Sequence, residues 1–221
     1  LLKVLSKMER NGVRVDLGSL KDFTEHLRQE MLEREARIRE MAGDPSLNIS
    51  SPKQVGTVLF EKLKLSDKPK KNNNGTYSTE ESTLLDLADK HPIVDEILEY
   101  RAVRKLLSTY IEPFPGFIEP SDGKVHTTFN QALTATGRLS SSNPNLQNIP
   151  IRSDRGREIR KAFVPSTPDG LILSADYSQI ELRIMAHLSC DQHLISAFKQ
   201  GVDIHTATAE KIFGIPHEQV T

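Results

Sequence analysis

The chain has 221 residues, a formal charge of −1 and 37% hydrophobic content, enough to bury one large core or two small ones. One cysteine, Cys190, excludes an internal disulfide framework and fits a reducing compartment. No apolar run approaches the roughly 20 residues that a bilayer span requires, so no membrane partner is expected.

The first residue is not Met and the opening pattern starts in mid-period, as in a piece of a longer protein. Leu1 to Asp16 reads as a helix end closed by the turn pair Asn11-Gly12, followed by a short extended segment in which Val13 and Val15 flank Arg14. Gly18 to Ala42 has a helical stripe of Leu20, Phe23, Leu27, Met31, Ile38 and Met41, a pattern of core packing. Asp44-Pro45 breaks it. Ser51-Pro52-Lys53-Gln54 then forms a capping box with proline at the first helical position. Such a start is first of all a good cap; its free N–H groups could also hold a phosphate, with Lys53 reinforcing them. The next stretch, KLKLSDKPKKNNNGT, is turn-rich and predicts a mobile loop. It contains Lys62, Lys64, Lys68, Lys70 and Lys71 against Asp67, either a solvated face or a phosphate-binding patch. Ser78 with Glu81 predicts a second capping box and a helix through Leu84, Leu87 and Ala88. His91-Pro92 ends it, His91 serving as a cap or linker. A helix from Ile93 to Tyr110 comes next, with Ile93, Ile97, Leu107 and Ile111 on one face and Arg101, Arg104 and Lys105 towards another.

From Gly116 the pattern turns to strands. Lys124 to Phe129 alternates and is β-branched after the turn Asp122-Gly123. Gln131 to Ser142 is polar, and Gly137 lets the backbone beside Arg138 approach a partner closely, although a surface hairpin with a salt-bridged Arg reads equally well. A second basic cluster holds Arg152, Arg155, Arg157, Arg160 and Lys161 against Asp154 and Glu158. Leu171 to Ser174 then predicts a buried strand, and Ile180, Ile184 and Leu188 the stripe of an amphipathic helix. Asp176 stands at the junction. It reads either as the N-cap of that helix or as an oxygen ligand for a hard divalent cation.

DYSQIELR, residues 176–183, closely resembles motif A of the family A DNA polymerases, the DNA polymerase I family. TATGRLSSSNPNLQNIP, residues 134–150, resembles the family's second hallmark at its usual spacing upstream. Weaker likenesses extend over nearly the whole chain: NISSPKQVGTVLFEKLKL to the thumb tip, EYRAVRKLLSTYIEPFP to the long thumb helix, and GVDIHTATAEKIFGIP to the start of the fingers. The resemblance implies an α+β fold, with an all-α thumb over residues 1–115, part of an antiparallel-sheet palm over 116–190, and the start of the fingers over 191–221. It implies template-directed transfer of deoxynucleotides to a primer 3′-hydroxyl in replication and repair, in the bacterial cytoplasm and in association with the nucleoid. Its partners would be primer–template DNA and deoxynucleoside triphosphates. Two Mg²⁺ ions about 3.5–4 Å apart would clamp the attacking and leaving oxygens. Asp176 would bridge them, and the main-chain carbonyl of Tyr177 would add a ligand. Tyr177, Ser178, Gln179, Ile180, Glu181 and His205 would meet the nucleotide, Glu181 by closing the space at the sugar's 2′ carbon and His205 at the β-phosphate. Glu181 also separates the chain from single-subunit RNA polymerases, which share the neighbouring elements. Lys53 and Lys105 would meet the DNA backbone. Arg138, Asn145, Gln147 and Asn148 would face the minor groove, where every correct pair presents acceptors, and Arg152 would lie near template, primer and incoming nucleotide.

The family's motifs B and C do not occur before Thr221, so the resemblance implies that these 221 residues alone are inactive. A palm sheet lacking its central strands would expose edges and apolar surface, leaving that half poorly ordered or self-associated. Two other classes stay open: a non-catalytic DNA-binding module, and a two-metal nuclease, for which Glu181 and Asp191 are the only acidic residues near Asp176.

Overall fold

The computed structural model describes residues 1–151, 153–214, 216 and 219, which form two compact units, residues 1–171 and 172–221. The fold is α+β: helices dominate, and among the described residues the strands form three small antiparallel pairs.

In the first unit, α1 (Leu2–Asn11) stops at Gly12, whose φ of 59° favours glycine. A second constraint falls on the same position. A Cβ there would lie 2.6 Å from Cε1 of His126, so the imidazole packs directly on the glycine backbone. β1 (Arg14–Val15) leads into α2 (Leu17–Ala42), whose first turn is capped by Asp16: Oδ1 accepts from Gly18 N at 2.9 Å. α2 ends at Gly43, with φ 58°. The stripe expected on α2 is its inner face, with Leu20, Leu27 and Ile38 buried and Phe23, Met31 and Met41 packed partly against them.

α3 (Pro52–Thr57) continues through a π-helical turn, Val58–Lys62. Half of the expected capping box forms. Ser51 Oγ accepts from Gln54 N at 3.4 Å, but Gln54 Oε1 accepts from Asn48 N at 2.8 Å rather than from Ser51 N, which already donates to the Asn48 carbonyl. The second expected box does not form. α4 (Glu81–Leu85) starts after Glu80, while Ser78 is buried with its hydroxyl 3.3 Å from that of Thr83. The helix is also shorter than expected, giving way to a 3₁₀ turn at Ala88–Lys90. His91 serves as a cap, its Nδ1 accepting from Ile93 N at 3.1 Å where the next helix starts. That helix, α5 (Ile93–Lys105), runs on through π-helical residues Leu106–Ile111, as one rod packed along α2. Ile93, Ile97 and Val103 are fully buried there among Ile38, Leu47, Leu59 and Leu27.

After the short α6 (Phe114–Phe117), β2 (Ile118–Glu119) pairs with β3 (Lys124–Val125), and β4 (Thr128–Asn130) with β5 (Ser140–Ser142). The single strand expected from Lys124 to Phe129 is therefore split at His126-Thr127, because each of these side chains has a tertiary partner. The Thr127 hydroxyl donates to the Pro144 carbonyl at 2.8 Å. His126 Nδ1 lies 2.6 Å from the Glu9 carbonyl and its Nε2 3.1 Å from Asp122 Oδ2. α7 (Asp154–Lys161) and β6 (Phe163–Val164) return the chain to β1, closing the unit.

Both acceptors around His126 are obligatory, so both ring nitrogens donate and the imidazolium is the favoured form. The Glu9 carbonyl, then Asp122, raise its pKa above the ordinary value, with Glu119 contributing at longer range. A raised folded-state pKa stabilises fully below the unfolded value of about 6.5, and the contribution is lost as pH rises through the folded value. The melting-temperature advantage of the wild type over His126→Gln is therefore expected to be larger at about pH 6 than at about pH 9; a pH-independent difference would contradict this.

The second unit contains α8 (Ile180–Ser189), α9 (Gln192–Gln200) and α10 (Ile204–Phe213). Here two expectations fail. Residues 171–177 form no strand, and Leu171 and Leu173 are 92% and 90% exposed. A strand needs a neighbour's ladder, and none of the described residues offers one to this segment. The α8 stripe is also exposed at Ile180, Ile184 and Leu188; the helix buries Ala186 instead, and Arg183 stacks on Phe198 of α9 with 4.4 Å from its guanidinium carbon to the ring centroid. Cys190, exposed, ends α8 with φ 54°.

Candidate nucleic-acid interface and catalytic carboxylate

In the first unit the outer face of α5 and the start of α7 border a groove of about 1080 Å³. Lys105 and Asn148, far apart in sequence, both line it. Both side chains are exposed and can reach a ligand in the groove. The groove is not uniformly basic, since Glu99 and Asp154 share it with Arg101 and Arg155.

The second basic cluster is partly spent inside the protein. Arg155 donates to Glu99 Oε2 at 2.9 Å and also to Glu30, which itself accepts from Arg34 at 2.8 Å. Arg157 pairs with Asp154 and Lys161 with Glu158. Arg155 thus clamps α7 onto α2 and α5 rather than facing phosphate. Arg101 is turned inward too, donating to the carbonyl and hydroxyl of Thr79, and burial holds its pKa below the ordinary guanidinium value. Arg152 lies outside the described residues.

The loop carrying Asn145, Gln147 and Asn148 is folded around one buried hydroxyl. Ser141 Oγ accepts from Leu146 N at 3.0 Å and Gln147 N at 3.2 Å, and donates to Asn145 Oδ1 at 3.1 Å. Asn145 Oδ1 also accepts from Gln147 N at 3.0 Å. With its oxygen occupied locally, Asn145 keeps its amide nitrogen as a donor for an outside acceptor. Gln147 and Asn148 are exposed. Arg138 is exposed after Gly137, whose φ is 75°, and its carbonyl accepts from Thr134 Oγ1 at 2.6 Å. Lys53 is exposed in the first turn of α3.

In the second unit Asp176 is exposed and caps nothing. α8 begins four residues later, its N-cap is Gln179, and no helix N–H takes the Asp176 oxygens. Tyr177 is 79% exposed, and Ser178 and Glu181 are exposed. The Ser178 carbonyl accepts from Arg183 Nε at 2.8 Å. Gln179 holds the left-handed conformation, φ 52°, and donates from Nε2 to Asp203 Oδ2 at 3.0 Å. Asp203 is the N-cap of α10, the helix that carries exposed His205 in its first turn. The Thr206 backbone N–H, followed by its hydroxyl and Gln179, lowers the Asp203 pKa. The structure therefore brings Gln179 and the His205 turn together. Sequence reasoning missed Asp203, although an Asp three residues ahead of Thr206 at a helix start is a cap signal. It also missed Ser141 and Arg183, for which no local signal exists.

Asp176 has the chemistry of a hard-cation ligand: an exposed carboxylate with both oxygens uncommitted. It supplies only part of a site. Among the described residues no three His, Cys, Asp or Glu side chains cluster as a metal centre. No described helix is long and apolar enough to cross a membrane.

The sequence model of DNA polymerase family A matches residues 18–221. The chain is 55% identical over its whole length to DNA polymerase I of Bacillus subtilis (strain 168), of which it covers 25%. It is 48% identical over 220 residues to the thermostable DNA polymerase I of Thermus aquaticus, covering 26% of that protein. It thus spans about a quarter of the length of these curated relatives. Among solved structures it is similar to the POL domain of Pol1 from M. smegmatis in complex with DNA primer-template and dNTP, with a TM-score of 0.88 and 42% identity over 99% of this chain and 38% of that one.

Proposed function

The chain belongs to DNA polymerase family A, and from that premise we propose that it is the part of a DNA-directed DNA polymerase that grips primer–template duplex and contributes a metal-binding carboxylate to nucleotide transfer. The observation that carries this reading is the state of Asp176: exposed, uncommitted, and four residues ahead of a helix it does not cap. An ordinary capping Asp would have spent an oxygen on that helix.

Residues 1–115 act as the thumb, 116–190 as part of the palm and 191–221 as the start of the fingers. Bound Mg²⁺ would activate the primer 3′-hydroxyl and offset charge on the leaving pyrophosphate. Asp176 and the Tyr177 carbonyl would hold the metal. Tyr177, Ser178, Gln179 and Ile180 frame the nucleotide, Glu181 crowds the sugar's 2′ position, and His205 lies at the β-phosphate. Arg138, Asn145, Gln147 and Asn148 donate to minor-groove acceptors, while Lys53 and Lys105 neutralise backbone phosphate and Arg152 serves near template, primer and incoming nucleotide. A lone carboxylate does not hold two ions, so the 221 residues by themselves bind duplex without extending it. The exposure of Leu171, Leu173 and Leu188 supports their self-association in isolation. The parent works in the cytoplasm, on the nucleoid.

Lys105 gives a direct test of the duplex-binding half. A phosphate contact contributes sequence-independent affinity and releases counterions, so Lys105→Ala should weaken binding several-fold on any duplex and reduce the log–log salt slope by about 1. An unchanged slope, or a loss confined to particular sequences, would rule Lys105 out of that role.

A further inference from the structure

One carboxylate in the second unit does more than a helix cap requires. Asp203 Oδ1 receives Thr206 N at 2.9 Å and Thr206 Oγ1 at 3.2 Å, which completes the cap of α10. Oδ2 is left over, and it receives Nε2 of Gln179 at 3.0 Å, across 24 positions of sequence. Gln179 needs holding, because its left-handed backbone, φ 52° and ψ 42°, is sterically unfavourable for a side chain with a Cβ. The surrounding bonds point the same way. The Gln179 carbonyl accepts from Arg183 N at 3.1 Å, and the Ser178 carbonyl from Arg183 Nε at 2.8 Å. The turn between Asp176 and α8 is thus pinned from its own helix by Arg183 and from α10 by Asp203. Residues on both sides of that turn, Tyr177 and Glu181, are those assigned to the nucleotide.

We propose that Asp203 is a positioning residue, tying the Gln179 turn to the first turn of α10 so that Gln179 and His205 meet one nucleoside triphosphate as a preset pair. The inference rests on the polymerase reading of the chain. Asp203 touches neither metal nor nucleotide in this role and acts through Gln179. A bidentate acceptor suits the task, since one oxygen serves the helix and the other the turn. Serine would cap α10 as well as aspartate does, but has no second oxygen to reach Gln179.

Asp203→Ser separates the two roles. In the intact polymerase, Asp203→Ser is expected to raise KM for the incoming nucleotide about tenfold, the scale of one lost charge-assisted hydrogen bond, with kcat within about twofold. Gln179→Ala should raise KM at least as much, since it also removes the proposed nucleotide contact, and adding Asp203→Ser to Gln179→Ala should cause no further loss, because the bond through which Asp203 acts is already gone. In the 221-residue chain, Asp203→Ser should shift the Gln179 side-chain amide resonances while amide exchange protection along α10 is kept. Wild-type kinetics in Asp203→Ser, or additive losses in the double variant, would overturn the positioning role. Unmoved Gln179 amide resonances would overturn the contact itself. Failure of the wild-type enzyme to extend a primer would instead defeat the polymerase reading, and the resonance measurement would still decide whether Asp203 holds the turn.

Discussion

Replacing Asp176 by alanine in the intact protein is expected to lower single-turnover nucleotide incorporation by about a thousandfold or more, a loss of ~4 kcal/mol of transition-state stabilisation. On the proposed reading Asp176 would hold the metal whose charge offsets that of the transition state, so the loss should fall on the chemical step rather than on duplex affinity. Binding should stay within about twofold, because the residues proposed to meet the DNA backbone and minor groove, Lys53, Lys105 and Asn148 among them, belong to the other compact unit. Folding should hardly register the change. Asp176 is exposed and has no hydrogen bond or ion pair among the described residues, and such surface substitutions fall within about ±0.5 kcal/mol. Rapid-quench incorporation, fluorescence anisotropy with labelled duplex and a thermal melt measure the three effects separately. Equal losses in binding and incorporation would make Asp176 a duplex contact; a large drop in melting temperature would make it structural.

The largest effect on stability is expected at the α2–α5 seam. Ile97 is fully buried in the core that α5 forms with α2 and the α3 region. Ile97→Ala removes buried methyl and methylene groups and leaves a cavity, at a cost of about 2–5 kcal/mol. Ile184→Ala deletes the same groups from α8, where the side chain is 51% exposed, and should cost less than about 1 kcal/mol. Urea denaturation of the two variants compares them directly. The contrast has a functional side as well: α5 also carries Lys105, so Ile97→Ala should lower duplex-binding capacity in step with the folded fraction. Measured on the monomeric chain at low concentration, similar losses at both positions would mean that the α8 face is covered within one molecule.

These two isoleucines also mark where the sequence could be read and where it could not. Ile97 lies in a long helical period flanked by His91-Pro92, and periodicity of that length specifies both the helix and its inner face. Ile184 lies in a period just as regular, yet its stripe is exposed, because a pattern reports which face is apolar and not whether anything covers it. Leu171 to Ser174 makes the same point for strands, since β-branched apolar composition does not supply a neighbouring ladder. Caps were legible where the partner is local, as at Ser51 and His91. They failed at Ser78, whose hydroxyl turns inward to Thr83. The candidate site rests on a string: DYSQIELR proposes Asp176, Gln179 and Glu181 without geometry. What the string left out is non-local, namely the Asp203 carboxylate behind Gln179, the Ser141 hydroxyl under Asn145, and the Glu30 and Glu99 pair that withdraws Arg155 from the basic cluster.

Metal stoichiometry tests the central claim most directly. Mn²⁺ binding to the intact protein, in complex with primer–template and a matched nucleotide, can be counted by electron paramagnetic resonance. If Asp176 is a metal ligand, the wild type should bind two protein-dependent ions and Asp176→Ala should lose at least one of them, at unchanged duplex occupancy. The same number of ions, bound equally tightly in both proteins, would contradict the assignment of Asp176 to the metal site.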